Sequence, residues 1–88
     1  MPVDGSALEL PAKPGVYLFK QEDGTVMYVG KATVLKERIR SYFSTNPDRR
    51  MIPSLVEDSD KIDYIVTQNP SEALMLERQL IREHKPRY

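Results

Sequence analysis

Two short segments rich in β-branched and aromatic residues, VYLFK at 16–20 and TVMYVG at 25–30, lie on either side of the pair Asp23-Gly24. Such runs around Asp-Gly are typical of two antiparallel strands joined by a tight turn. This is the strongest local structural signal in the chain, and it predicts a β-hairpin.

The length of the turn decides which residues of the two strands lie opposite each other. A two-residue loop places Tyr17 opposite Gly30 and Phe19 opposite Tyr28, so that both tyrosines lie on one face of the sheet. A loop of another length changes these pairs. Taken alone, two aromatic residues on neighbouring strands are more often a packing pair than a functional one.

After residue 34 the apolar residues recur at helical spacing, which predicts an amphipathic helix that ends near Ser44. Its apolar positions are Leu35, Ile39, Tyr42 and Phe43. Arg38 lies at the edge of this apolar stripe, one turn before Tyr42, so the two side chains can act on the same patch. Each also has a simple structural interpretation, Arg38 on the helix surface and Tyr42 in the core.

The rest of the chain predicts a brief helix within residues 45–60, a third strand at 61–67 and a last helix. This helix begins after Asn69, a favourable cap, and runs to about His84, because Pro86 cannot continue it. The element order β-β-α-(α)-β-α indicates an α+β fold, in which helices flank a small three-stranded antiparallel sheet.

Composition limits the chemistry that is available. The 88 residues suffice for one small domain, and there is no cysteine and a single histidine, His84. Disulfides, thiolate nucleophiles, zinc-cysteine sites and multi-histidine metal sites are therefore excluded. Residues 1–12 lack the features of a signal peptide, and no apolar run reaches the length of a membrane span. We treat 1–12 as a leader to a domain at 13–88, and expect a soluble, cytoplasmic protein.

Thirteen basic and thirteen acidic side chains give a formal net charge of zero, but the two signs are unevenly distributed. Residues 31–50 are mainly basic and form a plausible phosphate-facing patch, whereas residues 57–63 are mainly acidic and would repel phosphate. From charge alone, two solvated faces of opposite sign are the simpler interpretation. The charge pattern permits a nucleic-acid partner without establishing one.

Glu77 lies in the middle of the predicted apolar face of the last helix. That face consists of Ala73, Leu74, Leu80, Ile81 and His84. Burying an unpaired carboxylate is costly, so Glu77 should meet a metal ion, a basic side chain or backbone donors. A salt bridge to an arginine is the simplest interpretation, and a metal-binding or catalytic role is the alternative.

Two short strings, GVY at 15–17 and YVGK at 28–31, resemble the paired motif of the GIY-YIG nucleases, and their spacing suits the predicted hairpin. The fuller strings PGVYLF, YVGKA, LKERIRSYF, SEALMLE and LIREHKPRY resemble the opening domain of the UvrC family of excision-repair proteins. Together they cover nearly the whole chain after Lys13. Five ordered blocks are a far more specific match than the short motif alone.

The resemblance implies a DNA endonuclease domain that uses one divalent ion, Mg²⁺ or Mn²⁺, and makes the incision on the 3′ side of a lesion. The six site residues that it implies are Tyr17, Tyr28, Lys31, Arg38, Tyr42 and Glu77. Glu77 would hold the metal, and Arg38 and Tyr42 would bind the scissile phosphate.

In the same family mechanism Tyr17 would be the general base for the attacking water. A free phenol titrates near pH ~10, so it needs assistance, for which Lys31 and the metal are the obvious sources. Tyr28 would orient the water or the phosphate. We expect all six residues to converge on one concave surface, and Glu77 on the opposite side of the sheet from Tyr17 would contradict the nuclease interpretation.

The resemblance also implies a larger parent protein, with a second nuclease domain and a segment that docks on a UvrB-like helicase partner. In the family an asparagine that belongs to the site usually follows KPRY, and here the sequence ends at Tyr88. We expect the isolated domain to be monomeric. A hypothesis of another class is a catalytically silent DNA-binding or docking module, against which the intact set of six residues argues.

Overall fold

The computed structural model describes residues 10–42 and 59–86. Their elements are β1 (Gly15–Lys20), β2 (Val26–Ala32), α1 (Leu35–Ser41), β3 (Lys61–Val66) and α2 (Pro70–His84). The strands form an antiparallel sheet in the order β2-β1-β3. This confirms the predicted α+β fold, whereas the brief helix predicted within 45–60 falls almost entirely outside the described residues.

The predicted register of the hairpin is confirmed, but the turn that produces it is different. Tyr17 pairs with Gly30, and Phe19 pairs with Tyr28. The loop contains three residues rather than two, and an extra residue in β2 shifts the register by one between Phe19 and Lys20. The two deviations cancel, so the tyrosines still share a face.

Backbone hydrogen bonds define this loop. The amide of Gln21 donates to the carbonyl of Thr25 at 2.8 Å, and the amide of Gly24 donates to the carbonyl of Gln21 at 2.9 Å. Gly24 has a φ of 93°, in the region that glycine adopts without strain. A turn followed by such a glycine and a bulge is the common three-residue hairpin.

The two helices cover opposite faces of the sheet. Side chains alternate between these faces along β1, so successive residues of β1 pack against different helices. Tyr17 and Phe19 pack with Leu35, Ile39 and Tyr42 of α1 and its C-terminus. Val16 and Leu18, on the other face, pack with the α2 residues Ala73, Leu76 and Leu80. The core is therefore divided into an α1 half and an α2 half, with β1 between them.

The predicted ends of α2 are confirmed. The side chain of Asn69 accepts a hydrogen bond from the amide of Glu72 at 2.8 Å, and Pro70 occupies the first turn. The helix ends at His84 and is followed by the C-cap residue Lys85, which has a φ of 46°. The prediction of which side of α2 faces the sheet is wrong, because the helix is rotated about its axis. Leu76 packs on the sheet, while His84 is exposed and Ile81 is 40% exposed.

This rotation has a physical reason. A stripe formed by Ala73, Leu76 and Leu80 buries three apolar side chains without placing a carboxylate at its centre. Glu77 consequently lies at the margin of the stripe and is half-buried. Neither described helix is both long and apolar enough to cross a membrane.

Residues 10–13 pack against the domain rather than standing apart from it. Leu10 contacts the α1 half of the core. The carbonyls of Lys13 and Pro11 accept hydrogen bonds from the amides of Leu35 and Lys36, at 2.9 and 3.1 Å. The start of α1 is thus capped by the segment that the sequence analysis divided between leader and domain.

Candidate active site

The α1 half of the core contains a cluster of three tyrosines. The hydroxyls of Tyr17 and Tyr42 are 2.7 Å apart, within hydrogen-bond distance. The ring of Tyr28 lies 6.0 Å from that of Tyr17 and 6.4 Å from that of Tyr42, measured between centroids. Tyr17 is fully buried and Tyr28 is half-buried, so the cluster runs from the core towards the surface.

Gly30 leaves the space that the Tyr17 ring occupies. A β-carbon at position 30 would lie 2.4 Å from both Cζ and Oη of Tyr17. No real β-carbon tolerates that distance, so any other residue would push the ring away from its position. Position 30 therefore sets where the Tyr17 hydroxyl lies.

Arg38 reaches the same hydroxyl from α1. Its Nε donates a long hydrogen bond of 3.4 Å to the Tyr17 oxygen. Arg38 and Tyr42 are one helical turn apart, which is why α1 delivers both groups to one atom. The structure thus brings together Tyr17, Tyr28, Arg38 and Tyr42.

Burial controls the ionisation of these groups. Burial raises the pKa of Tyr17, although its hydrogen bonds with Tyr42 and Arg38 act in the opposite direction. The pKa of Tyr42 is raised further, first by burial and then by its bond with Tyr17. The bond with Tyr17 raises the pKa of the Arg38 guanidinium above its usual range. At neutral pH the site therefore holds two neutral phenols beside a permanent positive charge.

A groove of about 490 Å³ lies past the end of β2 and is lined by residues of both helices. Its walls come from the end of β2, from α1 and from the first turns of α2. They are formed by Lys31, Ala32, Thr33, Val34, Glu37, Arg38, Ser41, Pro70 and Ala73. Because the groove lies past the end of a strand, residues from both faces of the sheet line it.

Lys31 approaches the groove from the face that carries α2. It pairs with Val16 in the ladder, so its side chain is on the side opposite to Tyr17, and it is exposed. Lys31 and Arg38 thus place two cationic side chains on the walls of one groove. Such a pair suits a phosphate group.

The prediction that Glu77 shares a side of the sheet with Tyr17 is wrong, because α2 covers the opposite face. A nuclease site at this place does not need all its residues on one side of the sheet, since a groove past the end of a strand is open to both faces. Glu77 follows Ala73, which lines the groove, by one helical turn, or about 6 Å along the axis. Glu77 itself is not among the residues that form the walls.

The Glu77 carboxylate suits a hard cation. Within residues 10–42 and 59–86 it makes no hydrogen bond or ion pair, so the salt bridge considered from the sequence is not seen there. The same residues contain no group of three or more histidine, cysteine or acidic side chains that could share a metal ion. A half-buried carboxylate that has no partner among the described residues fits Mg²⁺ or Mn²⁺ held mostly by water.

Sequence reasoning did not single out Glu37, Thr33 or Ser41, which line the groove with Lys31 and Arg38. Glu37 and Ser41 lie on α1 beside and one turn beyond the arginine. The i,i+3 spacing from Arg38 was the available signal for Ser41, and Glu37 is in turn four residues before Ser41.

The family model of the UvrC-like GIY-YIG domain matches residues 13–88. The chain belongs to this family. Among its relatives, UvrABC system protein C of Syntrophus aciditrophicus is 53% identical over 78 residues, covering 89% of this chain and 13% of that protein. The protein of the same name from Treponema denticola is 52% identical over 82 residues, covering 93% and 12%. This GIY-YIG chain therefore spans a small fraction of the length of these relatives.

A solved UvrC-like GIY-YIG structure has the same fold. It is the N-terminal endonuclease domain of UvrC from Thermotoga maritima, bound to magnesium as its catalytic divalent cation. The TM-score is 0.83 at 41% identity, over 92% of this chain and 88% of that one. Point mutants of the Thermotoga domain, each with one of three tyrosines replaced by phenylalanine, are also bound to the cation.

Proposed function

We propose that this chain is a metal-dependent DNA endonuclease domain that hydrolyses one phosphodiester bond. The observation that carries the proposal is the hydrogen-bonded group of Tyr17, Tyr42 and Arg38, which borders a groove with Lys31 on its wall. Tyr17 must lose its own proton to solvent before it can accept one from the attacking water, and the fixed positive charge of Arg38 favours that loss beside a phosphate. Membership of the UvrC-like GIY-YIG family supports the same chemistry.

Arg38 and Lys31 are the groups that bind the scissile phosphate. The guanidinium stays protonated at any working pH and offers a planar fork of donors to phosphate oxygens. Charge on those oxygens grows in the transition state, so preplaced cations stabilise it more than the ground state.

Tyr17 is the general base, and its ionised form is stabilised differently from what the sequence suggested. The donors within reach of its oxygen are Arg38 and Tyr42, rather than Lys31. Both hydrogen bonds favour the phenolate, while burial opposes it. Tyr42 therefore acts on Tyr17 as well as on the phosphate, and Tyr28, nearer the surface, orients the water or the phosphate.

Glu77 is the residue that would hold one Mg²⁺ or Mn²⁺. When bound, the ion supplies charge for the phosphate and the leaving oxygen. The magnesium-bound Thermotoga relative supports this, as does cation binding by its tyrosine mutants, because it shows that single tyrosine hydroxyls are dispensable for the metal there. A single protein carboxylate makes a weak site, so activity should depend on metal concentration.

The relatives that are named UvrABC system protein C support a wider role in DNA repair. We place the incision on the 3′ side of a DNA lesion, within a larger protein that works with a UvrB-like helicase. A silent DNA-binding or docking module is the second candidate. The intact set of tyrosine, arginine, lysine and glutamate side chains favours the enzyme.

Nicking of supercoiled plasmid separates the two candidates. The enzyme converts it to open circles when Mg²⁺ or Mn²⁺ is added, and EDTA stops the reaction. Arg38→Ala should remove this activity while Arg40→Ala, an exposed arginine of the same helix, should retain most of it. DNA binding without nicking in either metal would support the silent module instead.

A further inference from the structure

Helix α1 carries two of the groups on which the proposed mechanism depends, yet it is poorly equipped to hold its own position. It has only seven residues, and its N-cap, Val34, makes no side-chain capping bond. Isolated helices of this length are unstable in water. Something outside the helix must therefore fix its start.

The segment Leu10–Lys13, here called the N-terminal strap, does this. The Lys13 and Pro11 carbonyls accept from the first two amides of α1, at 2.9 and 3.1 Å, in place of a capping side chain. Because these amides are occupied, they are not available to a phosphate, which must be bound by side chains.

The strap is itself anchored at both ends. Leu10 packs against the core cluster that contains Tyr17 and Tyr42. Just after the strap, the carbonyl of Pro14 accepts from the amide of Thr67 beyond β3, at 2.9 Å. Proline at 11 and 14 restricts the backbone between these anchors. The strap is thus a stiff link from the sheet to the start of α1.

We propose that the N-terminal strap is a positioning element of the active site, which holds α1 so that Arg38 and Tyr42 both reach the Tyr17 hydroxyl. Loosening the strap slows the chemical step in molecules that remain folded. Metal binding at Glu77 is unaffected, because α2 packs on the other face of the sheet. This inference rests on the proposed endonuclease function.

The test is Leu10→Ala in the full chain, compared with Ile62→Ala. Both residues are half-buried and pack against the same core cluster. Ile62 lies on β3, outside the strap, and takes no part in capping α1. Nicking is measured as kcat and KM at a temperature where both variants are folded. The Mg²⁺ concentration for half-maximal rate is measured in parallel.

We expect Leu10→Ala to lower kcat by about tenfold to a hundredfold, since displacements near 1 Å can have effects of that size. The Mg²⁺ dependence should not change, Ile62→Ala should keep kcat within about twofold, and Leu10→Met, which preserves side-chain volume, should restore the rate. Equal losses of kcat in the Leu10→Ala and Ile62→Ala variants would overturn the proposal, because they would show a general effect of weakening the core.

Two further measurements keep the test decisive. If Leu10→Ala does not fold, Pro11→Gly leaves the core intact and loosens the strap backbone, and an unchanged kcat in that variant would overturn the proposal. The Tyr17 and Tyr42 rings, 5.6 Å apart, should show NMR cross-relaxation that is weakened in strap variants and unchanged in Ile62→Ala. This readout needs no catalysis, so a wild-type chain that fails to nick DNA would contradict the proposed function while leaving the strap testable.

Discussion

Tyr17 combines two properties that conflict in a simple active site: its ring is completely buried, and its hydroxyl is the atom on which Tyr42 and Arg38 converge. Burial stabilises the neutral phenol, and the two donors stabilise the phenolate. The residue types could be predicted from the sequence. Their convergence on one surface was expected from the family resemblance, but the direct bond between the Tyr17 and Tyr42 hydroxyls was not, because it depends on how α1 packs on β1.

This ionisation predicts how stability depends on pH. A tyrosine in the unfolded chain ionises near pH ~10, whereas burial keeps Tyr17 and Tyr42 protonated to higher pH in the folded chain. The unfolded state therefore loses protons first, and the stability that these residues contribute, complete below pH ~10, is lost as the pH rises beyond it.

Urea denaturation at pH ~8 and pH ~10.5 would measure this effect. The difference in stability between the two pH values should be smaller for Tyr42→Phe than for the wild type. Tyr64→Phe, which changes an exposed tyrosine, should behave like the wild type. An unchanged difference in Tyr42→Phe would show that Tyr42 does not titrate as its burial requires.

Glu77→Gln keeps the shape of the side chain and removes its charge. Loss of a single-carboxylate metal site costs several kcal/mol in the transition state, so nicking should fall at least about a thousandfold, at ~1.4 kcal/mol per factor of ten. The melting temperature should stay the same or rise, because the half-buried carboxylate has no ion pair among the described residues.

Glu83→Gln is the matched control, since it makes the same change at an exposed position of the same helix. It should leave nicking and melting close to wild type. A Glu77→Gln protein that melts lower and still nicks DNA would argue for a structural salt bridge and against the metal-ligand assignment.

The strands and the ends of α2 could be predicted from the sequence, because local chemistry determines them. Asn69 caps the helix wherever the helix lies, and the hairpin turn at Gly24 depends on adjacent residues. The rotation of α2 about its axis could not be predicted, because it depends on which side chains of the sheet pack against Leu76 and Leu80. For the same reason the sequence did not reveal that α1 and α2 cover opposite faces.

The pairing of β1 with β2 predicts a sharp effect for Gly30→Ala. The new β-carbon would lie 2.4 Å from the Tyr17 ring, so the ring must move and lose its hydrogen bond with Tyr42. We expect lower stability and little nicking from the folded fraction. Gly24→Ala is the comparison: its β-carbon meets nothing within 4 Å, and the penalty comes only from the φ of 93°.

Melting and nicking measured on the two glycine variants distinguish backbone strain from displacement of the site. Gly24→Ala should lose about 1–2 kcal/mol of stability and keep wild-type nicking per folded molecule. If Gly30→Ala also nicks normally per folded molecule, the Tyr17 position is not set by the space at residue 30.

For the whole chain, a formal net charge of zero limits how tightly it can hold DNA. Only a few cations, among them Lys31 and Arg38, border the groove. If about three phosphates are neutralised, affinity for undamaged duplex should fall roughly fortyfold between about 50 and 200 mM salt. Fluorescence anisotropy of a labelled duplex would measure this, and tight binding that salt does not alter would contradict it.

The tyrosine cluster also gives the domain an optical property. The chain has five tyrosines and no tryptophan, so tyrosine fluorescence is not quenched by energy transfer to an indole. Three of the five rings lie within 6.4 Å of one another, close enough to exchange excitation energy. Loss of a proton from one phenol would therefore quench its neighbours as well. Ultraviolet emission of the unlabelled protein should fall when the first phenol of the cluster ionises at high pH.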